Sequence, residues 1–234
     1  MAEISFEEVV KAWKAKNIHT VADIDVALSD IRVLFAYNSN KIEDAGVSFH
    51  QTREIFENGK VIGYTGSIKA LYEAYNHREC YEFLKSKIAI KEALSVGLIN
   101  EIHEILLDRC CDENLRNKDE VEYICEEIAK TELWNGDASP EKVLKAAIWF
   151  YCSFERIHPF ADGNGRVGRT LLNYILMVAG LPPVVIFDED KEAYFMALEV
   201  FDHSDKIDGF VAFIKEQMVK TWVRNGSRGA FVAL

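Results

Sequence analysis

Proline and low-complexity stretches are scarce in this sequence. Four prolines stand among 234 residues, and 49% of the residues are hydrophobic. A chain of this composition is expected to be ordered throughout and to bury a substantial core. Apolar runs long enough to cross a bilayer are also missing, and the first residues, MAEISFEEVVKAWKAKN, are acidic and helical in their spacing. These features argue against a membrane protein and against a secretory signal peptide.

Positive charge and paired cysteines are scarce as well. The chain has 27 Lys and Arg against 38 Asp and Glu, a net charge of −11. This balance argues against a binder of nucleic acid or of membrane surfaces, and it means that local cations must be gathered wherever a phosphate binds. The five cysteines are odd in number and form no Cys-x-x-Cys pair. Such thiols are typical of a reducing compartment, so we expect a cytoplasmic protein.

Most of the chain carries apolar residues at intervals of three and four, the period of an α-helix. Ser139 and Pro140 form a good helix start, and Gly180 ahead of two prolines forms a good stop. Residues 58–67, NGKVIGYTGS, differ in having three glycines, β-branched residues and an Asn-Gly pair. They predict a short β-hairpin, with an ordinary connecting turn as the alternative. The expected fold is all-α with one hairpin, and its plainest function is that of a helical interaction module.

Residues 158–169, His-Pro-Phe-Ala-Asp-Gly-Asn-Gly-Arg-Val-Gly-Arg, hold the densest group of reactive side chains. We call them the signature loop. The proline after His158 disfavours helical geometry there, so the helix from residue 140 should end at about Ile157. The imidazole is then free to project, and histidine exchanges protons near neutral pH. Phe160 is the one large apolar residue of the first half, and we expect it to anchor the loop in the core.

The second half of the signature loop predicts a polyphosphate site. Gly163 and Gly165 permit positive φ, so successive N–H groups can converge on an anion. The next helix, expected to begin at about Arg166, directs its positive end at the same place. Arg166 and Arg169 share a helix face and supply the local cations. Asp162 adds one carboxylate for Mg²⁺. A glycine-rich connection between two helices is the alternative.

The signature loop resembles the signature of the Fic family, HxFx(D/E)GNGRxxR, at every specified position. The resemblance extends from about Ile24 to Lys215. It implies the Fic fold, a helical bundle with a β-hairpin flap at residues 58–67 along which a target protein docks. It also implies transfer of AMP from Mg·ATP to a Ser, Thr or Tyr hydroxyl, on the target and on the enzyme itself. The asparagine-glycine-arginine core favours AMP transfer over the phosphotransfer of Doc-like relatives.

The resemblance further implies a role for each site residue. His158 would be the general base that takes the proton of the target hydroxyl. Asp162 would hold a Mg²⁺ bridging the α- and β-phosphates, and Arg169 would reach the γ-phosphate. The other implied nucleotide-binding residues are the backbone of Gly163, Asn164 and Gly165, the side chains of Asn164 and Arg166 on phosphate oxygens, and Asn173 and Tyr194 near the adenine.

Residues 39–44, Ser-Asn-Lys-Ile-Glu-Asp, resemble the inhibitory pattern (S/T)xxxE(G/N) of Fic proteins, and we call them the inhibitory segment. Ser39 and Glu43 are four apart and share a helix face. Glu43 is expected to pair with Arg169 and so to occupy the arginine that should meet the γ-phosphate. Asp44 departs from the small or amide residue of the family. The alternative for Glu43 is an ordinary surface acid.

The organisation that follows is one compact unit with two parts. Residues 1–45 are the N-terminal helices with the inhibitory segment, and residues 46–234 are the Fic catalytic core and the C-terminal helices. A homodimer that buries or exposes the inhibitory segment is the expected assembly. His77 and His103 are interpreted as packing or surface residues.

Three other functions stay open from the sequence. Glu43 could position a water for removal of AMP from modified targets. The signature loop does not discriminate between nucleotide bases, so GTP, CTP or UTP could replace ATP. The third is a non-enzymatic nucleotide-sensing module. Such a module is expected to have lost His158, Asp162 or an arginine of the signature loop, and none is missing.

Overall fold

A computed structural model describes residues 4–110, 118–131 and 138–225 of the chain. Within these ranges the protein is all-α, with no β-strand. No helix of this part is both long and apolar enough to cross a bilayer. Of the five cysteines, Cys111 lies outside the described residues. The helices are α1 Phe6–Ala15, α2 Val21–Ala27, α3 Ile31–Ile42, α4 Phe49–Asn58, α5 Ile68–Ala89, α6 Val96–Leu106, α7 Lys118–Ala129, α8 Pro140–Ile157, α9 Asn164–Val178, α10 Lys191–Ser204 and α11 Asp208–Asn225.

Helices α8 and α9 form the centre of the molecule and position the signature loop between them. Helix α8 packs against α7, α10 and α11, while α9 packs against α3, α5 and α6. The start of α8 is as predicted, because the Ser139 hydroxyl accepts a hydrogen bond from the Lys142 N–H and Pro140 occupies the first turn. Its end at Ile157 also confirms the prediction made from Pro159.

Helix α9 begins at Asn164, two residues before the expected start, because Gly163 itself adopts the left-handed capping conformation at φ +85°. Its end confirms the stop predicted at Gly180, which has φ +81°. There the Gly180 N–H donates to the Met177 carbonyl and the Leu181 N–H donates to the Leu176 carbonyl. These two bonds satisfy carbonyl groups that the end of the helix leaves free.

The N-terminal helices share the core with the rest of the chain. Trp13 of α1 meets Trp222 of α11 edge to face, with ring centroids 5.2 Å apart. Helix α2 packs on α5, and α3 packs on α4, α5 and α9. Apolar residues recur at helical intervals from Ile24 to Phe35 in the sequence, but they belong to two separate helices, α2 and α3. Helix α3 therefore brings the inhibitory segment against the start of α9.

The β-hairpin expected at residues 58–67 is not present in the structure. Helix α4 ends at Asn58, Gly59 caps it at φ +65°, and the chain runs irregularly to Ile68. Two backbone acceptors of this stretch receive side-chain hydroxyls: Tyr75 donates to the Gly59 carbonyl at 3.2 Å, and Tyr64 donates to the Ser67 carbonyl at 3.0 Å. These local bonds compete with pairing between two short strands. The segment, which we call the docking segment, is an exposed irregular loop.

Candidate active site

His158 occupies the junction between α8 and the signature loop. Its backbone is left-handed (φ 49°, ψ 58°), and its N–H donates to the Phe154 carbonyl at 3.0 Å. A β-carbon in this conformation costs on the order of 1 kcal/mol, a strain that proteins retain chiefly at functional positions. The turn ends the helix and leaves the imidazole exposed. The histidine is therefore presented to solvent from a rigid helix end, as predicted.

The loop after His158 is anchored in the core by Phe160, which is 1% exposed. The Phe160 ring stacks on His103 of α6, with centroids 3.7 Å apart and planes within 6°. Asn164 closes the loop: its Oδ1 accepts from the Phe160 N–H at 2.9 Å, and its Nδ2 donates to the Phe160 carbonyl at 2.5 Å. Both polar atoms of the Asn164 side chain thus hold the Phe160 backbone in this structure, and the expected contact of this side chain with phosphate oxygens stays a prediction.

We expect Phe160→Ala to lower the free energy of unfolding by about 3–5 kcal/mol, because it removes a fully buried ring and leaves a cavity under the loop. Urea denaturation followed by circular dichroism measures this change. Phe195→Ala is the matched control, since Phe195 is 48% exposed and its loss should cost less than about 1 kcal/mol. Equal losses in the two variants would contradict the anchoring role of Phe160.

The start of α9 is the expected anion-binding end of the site, and its two glycines are closely packed. A β-carbon on Gly163 would lie 2.4 Å from Leu107 Cδ2, and one on Gly165 would lie 2.6 Å from Glu43 Oε1. The Glu43 carboxylate therefore lies directly over the first turn of α9. Free N–H groups and the helix dipole favour a negative group at this position. Glu43 occupies the place where an anionic ligand would be expected.

Arg169 is fully enclosed and bonded to the inhibitory segment. Its Nη2 donates to Glu43 Oε1 at 2.7 Å and to the Ser39 carbonyl at 3.0 Å, and its Nε donates to Ser39 Oγ at 3.1 Å. Its Nη1 donates to the Tyr194 hydroxyl at 3.3 Å. Burial alone would lower the pKa of Arg169, but Tyr194 and Glu43 offset this effect and raise it. The structure thus places Ser39, Glu43 and Arg169 together, as the resemblance to the inhibitory pattern implied.

Asp44, the departure from the inhibitory pattern, does not touch Arg169. It lies just past α3 with φ +60°, where the Asp44 and Ala45 N–H groups bond the last carbonyls of the helix. Glycine and asparagine adopt this conformation most easily, which explains the preference of the family at this position. The Asp44 carboxylate points outward and pairs with Lys191 of α10 at 3.1 Å. It ties the inhibitory segment to α10 and leaves the Glu43 pair intact.

Arg166 and Asp162 form a second charged group, joined by two residues of α5. Arg166 Nη1 donates to Glu73 Oε1 at 2.8 Å, and its Nη2 donates to Asp162 Oδ1 at 3.1 Å. Lys69 Nζ lies 3.2 Å from Asp162 Oδ2. Burial would raise the pKa of Asp162, but Arg166 and Lys69 lower it overall. Sequence reasoning missed Lys69 and Glu73, because only helix packing brings them to partners that lie 93 residues further along the chain.

Asn173 and Tyr194, expected near the adenine, are engaged elsewhere in this structure. The Asn173 amide bonds both the N–H and the carbonyl of Val184 and so holds the segment after α9. Tyr194 is 1% exposed, and its hydroxyl contacts Arg169 and Tyr151. Tyr194 thus lies beside Arg169 and is enclosed, rather than at a surface on which a base could stack.

His77 and His103 fit their interpretation as packing residues. His103 supports Phe160, and its Nε2 lies 3.2 Å from the Asp162 carbonyl oxygen. His77 is 4% exposed and meets the Phe35 ring edge to face. Burial lowers the pKa of His77 to about 3, helped by the nearby Arg166 and Arg169. His77 is therefore neutral at physiological pH.

A helical bundle that presents an exposed histidine beside a glycine-rich helix start and two buried arginines defines the class of Fic-fold proteins. The chain belongs to the Fic/DOC family, whose model matches residues 93–176. This match contains the whole signature loop.

Protein relatives support the assignment over most of the chain. The chain is 32% identical over 206 residues to the protein adenylyltransferase fic-1 of Caenorhabditis briggsae, covering 77% of this chain and 38% of that protein. It is 31% identical over 193 residues to the protein adenylyltransferase Fic of Nematostella vectensis, covering 76% and 45%. The chain thus spans less than half the length of these relatives.

Solved structures have the same fold. A Fic-domain-containing signalling protein from Bacteroides thetaiotaomicron superposes with a TM-score of 0.75 at 22% identity, covering 93% of this chain and 94% of that one. Fic-1 of Caenorhabditis elegans, residues 134–508, gives a TM-score of 0.73 at 25% identity, covering 97% and 71%.

Proposed function

We propose that the protein is a protein adenylyltransferase, which transfers AMP from ATP to a hydroxyl group of a target protein. The observation that supports this most is the juxtaposition of the exposed His158 with the anion-binding start of α9. The relatives that carry the name protein adenylyltransferase share about a third of their aligned residues with the chain. A nucleotide-sensing module would need the phosphate site but not the exposed base.

The proposed reaction uses the geometry of the loop as follows. The phosphates of ATP bind the N–H groups of Gly163, Asn164 and Gly165, and Arg169 meets the γ-phosphate. His158 accepts the proton of the target hydroxyl while that oxygen attacks the α-phosphorus. The bond from the α-phosphorus to the bridging oxygen breaks, and pyrophosphate leaves with the electron pair. Arg166 keeps Asp162 and the loop in place beside the phosphates.

Asp162 is the residue proposed to hold Mg²⁺. Its side chain is 41% exposed, and the Lys69 ammonium against its Oδ2 is 52% exposed and would have to move aside for the ion. In the described ranges no three potential ligand side chains group around a metal position. One carboxylate supplemented by nucleotide phosphates and water is the usual donor set for Mg²⁺. Bound there, the ion would neutralise charge that develops on the phosphates.

The docking segment is proposed to bind the target. It is exposed, with Ile62 85% accessible, and it leads directly into Lys69, which contacts Asp162. Its backbone groups are available to pair with an extended target peptide, so the expected flap would complete its strand pairing only on binding. Self-modification and a homodimer belong to the same proposal, since a second copy can present its own hydroxyl.

Inhibition by the N-terminal part is also proposed. In this arrangement residues 1–45 act on the core formed by residues 46–234, because Glu43 engages Arg169 and covers the start of α9. ATP would then bind without its γ-phosphate contact and in a geometry unsuited to in-line attack. The setting that we propose is the cytoplasm, since Cys80, Cys110, Cys125 and Cys152 are all free thiols.

The transferred group tests the proposal directly. Protein incubated with Mg²⁺ and ATP should acquire label from the α-phosphate and none from the γ-phosphate. A Glu43→Gly variant and a cell lysate as the source of targets increase the signal. Label from the γ-phosphate would show phosphotransfer instead. No label from either position, with ATP binding shown by calorimetry, would contradict transfer from ATP. Repeating the incubation with GTP, CTP and UTP then separates another donor from a sensing role.

A further inference from the structure

Glu155 is a half-buried acid in the active-site region that the proposed reaction does not use. It lies on the last turn of α8, one turn after Tyr151. Part of the side chain reaches the surface, but its Oε1 atom is buried and has no hydrogen-bond partner among the described residues. A buried acceptor without a donor destabilises the folded protein, so its retention calls for a reason.

The position of Glu155 points to Arg169. A β-carbon on Gly168 would lie 2.3 Å from Glu155 Oε1, so the carboxyl group rests on the backbone of α9 one residue before Arg169. Arg169 has five N–H donors, of which four have partners in the described structure. The remaining one is on Nη1, the nitrogen that also bonds Tyr194. A free donor and a free acceptor thus lie in one buried cluster.

Both carboxyl groups of this cluster, Glu43 and Glu155, compete for a single guanidinium. With Glu43 bonded to Arg169, one positive charge is already matched by one negative charge. A second carboxylate buried beside them would be unmatched, which disfavours its ionisation. When Glu43 withdraws, Arg169 is left buried without a partner, and Glu155 is the nearest acid on α8 that can neutralise it.

We propose that Glu155 is a positioning residue for Arg169. When the inhibitory segment withdraws, the Glu155 carboxyl group releases its proton to solvent and pairs with the Arg169 guanidinium. This inference rests on the proposed inhibition by Glu43. It assigns to Glu155 the task of keeping Arg169 charged, buried and oriented until a γ-phosphate arrives. Release of inhibition is then coupled to the loss of one proton.

The titration of Glu155 agrees with this arrangement. Burial raises the pKa of Glu155 to about 7, Arg169 acts in the opposite direction, and Glu43 raises the pKa further. Removing Glu43 should therefore lower it. The neighbouring Tyr151 hydroxyl acts to lower this pKa, while Asp202 has a smaller raising effect and is itself held by Arg156 at 3.3 Å. The charged and titratable groups facing Glu155 are Arg169 of α9, Glu43 at the end of α3, Asp202 and Tyr194 of α10, and Tyr151 and Cys152 of α8.

The sign of the pH effect follows from these pKa values. Glu155 has the higher pKa in the inhibited state, so its proton favours that state at low pH, and this contribution is lost as the pH rises through about 7. Inhibition should therefore weaken with rising pH. The weakening is greatest between pH 6 and pH 8, which bracket the pKa in the inhibited state, and we expect it to be about fivefold to tenfold.

Four variants measured together isolate this effect. The transfer rate of the unmodified protein is divided by that of Glu43→Gly at each pH, which cancels the pH dependence of the chemical step. We expect this ratio to rise about fivefold to tenfold from pH 6 to pH 8. The rate of Glu155→Gln divided by the rate of the double variant Glu43→Gly, Glu155→Gln should not change with pH. Glu141→Gln, which changes a half-exposed acid at the other end of α8, serves as control and should keep the rise.

A second measurement needs no activity. In protein labelled with ¹³C at glutamate carboxyl groups, one signal should titrate near pH 7, away from exposed glutamates near 4.3. In Glu43→Gly its midpoint should fall by about one unit or more. Equal midpoints in the two proteins, or a ratio that rises equally with Glu155→Gln, would overturn the proposal. If no variant transfers label, the proposed activity fails, while the carboxyl titration still decides the role of Glu155.

Discussion

Replacing Glu43 by glycine is expected to raise the rate of AMP transfer roughly tenfold to a hundredfold. The variant removes the 2.7 Å charge-assisted bond to Arg169, and bonds of this kind contribute about 1.5–3 kcal/mol. It also uncovers the first turn of α9, where the Glu43 carboxylate lies closest to Gly165. Both changes favour the phosphates of ATP at the same position, so nucleotide affinity should rise together with the rate.

The measurement is the initial rate of incorporation of α-phosphate label at saturating ATP. Asp44→Asn is the matched control, because Asp44 is the neighbouring acid on the same helix end but pairs with Lys191 and does not reach Arg169. Its rate should stay within about twofold of the unmodified protein, as surface substitutions change energies by less than about 0.5 kcal/mol. An unchanged rate in Glu43→Gly, with normal helix content, would show that Glu43 is an ordinary acid. An equal gain in Asp44→Asn would point to general loss of negative charge instead.

Replacing His158 by alanine is expected to reduce transfer by at least a hundredfold, since general-base catalysis contributes about 10²–10⁴ in rate. The variant is best made in the Glu43→Gly background, where the starting rate is highest. His158 caps α8 through its backbone, and its side chain is exposed. The fold and the binding of ATP should therefore be retained, and the loss should fall on the chemical step.

Calorimetric titration with a non-hydrolysable ATP analogue separates these two quantities. The dissociation constant should change by less than about threefold in His158→Ala, whereas the rate of labelling falls. His50→Ala controls for loss of an exposed histidine and should leave both quantities unchanged, because His50 lies on α4 away from the signature loop. Full labelling by His158→Ala would mean that another group accepts the proton. Loss of nucleotide binding would mean that the histidine has a binding role.

The features that the sequence determined by itself are local ones. Pro159 ends α8, the glycines of the signature loop set the start of α9, and Gly180 ends that helix, because each acts on the backbone within a few residues. The four-residue spacing of Ser39 and Glu43 was likewise enough to place both on one helix face. For these positions the physical cause lies within a short window of sequence, and the structure agrees to within two residues.

The partners of the buried charges were decided only by the tertiary structure. Lys69 and Glu73 reach the signature loop from α5, and Tyr194 reaches Arg169 from α10, through helix packing that no local pattern encodes. Asn164 bonds the Phe160 backbone because the folded loop leaves that N–H and carbonyl inside the protein. The docking segment has the residues of a hairpin but no strand pair, since short strands are marginal without a partner to complete them. The role proposed for Glu155 also depends on packing, because burial and neighbouring charge, which set its protonation, are properties of the folded structure.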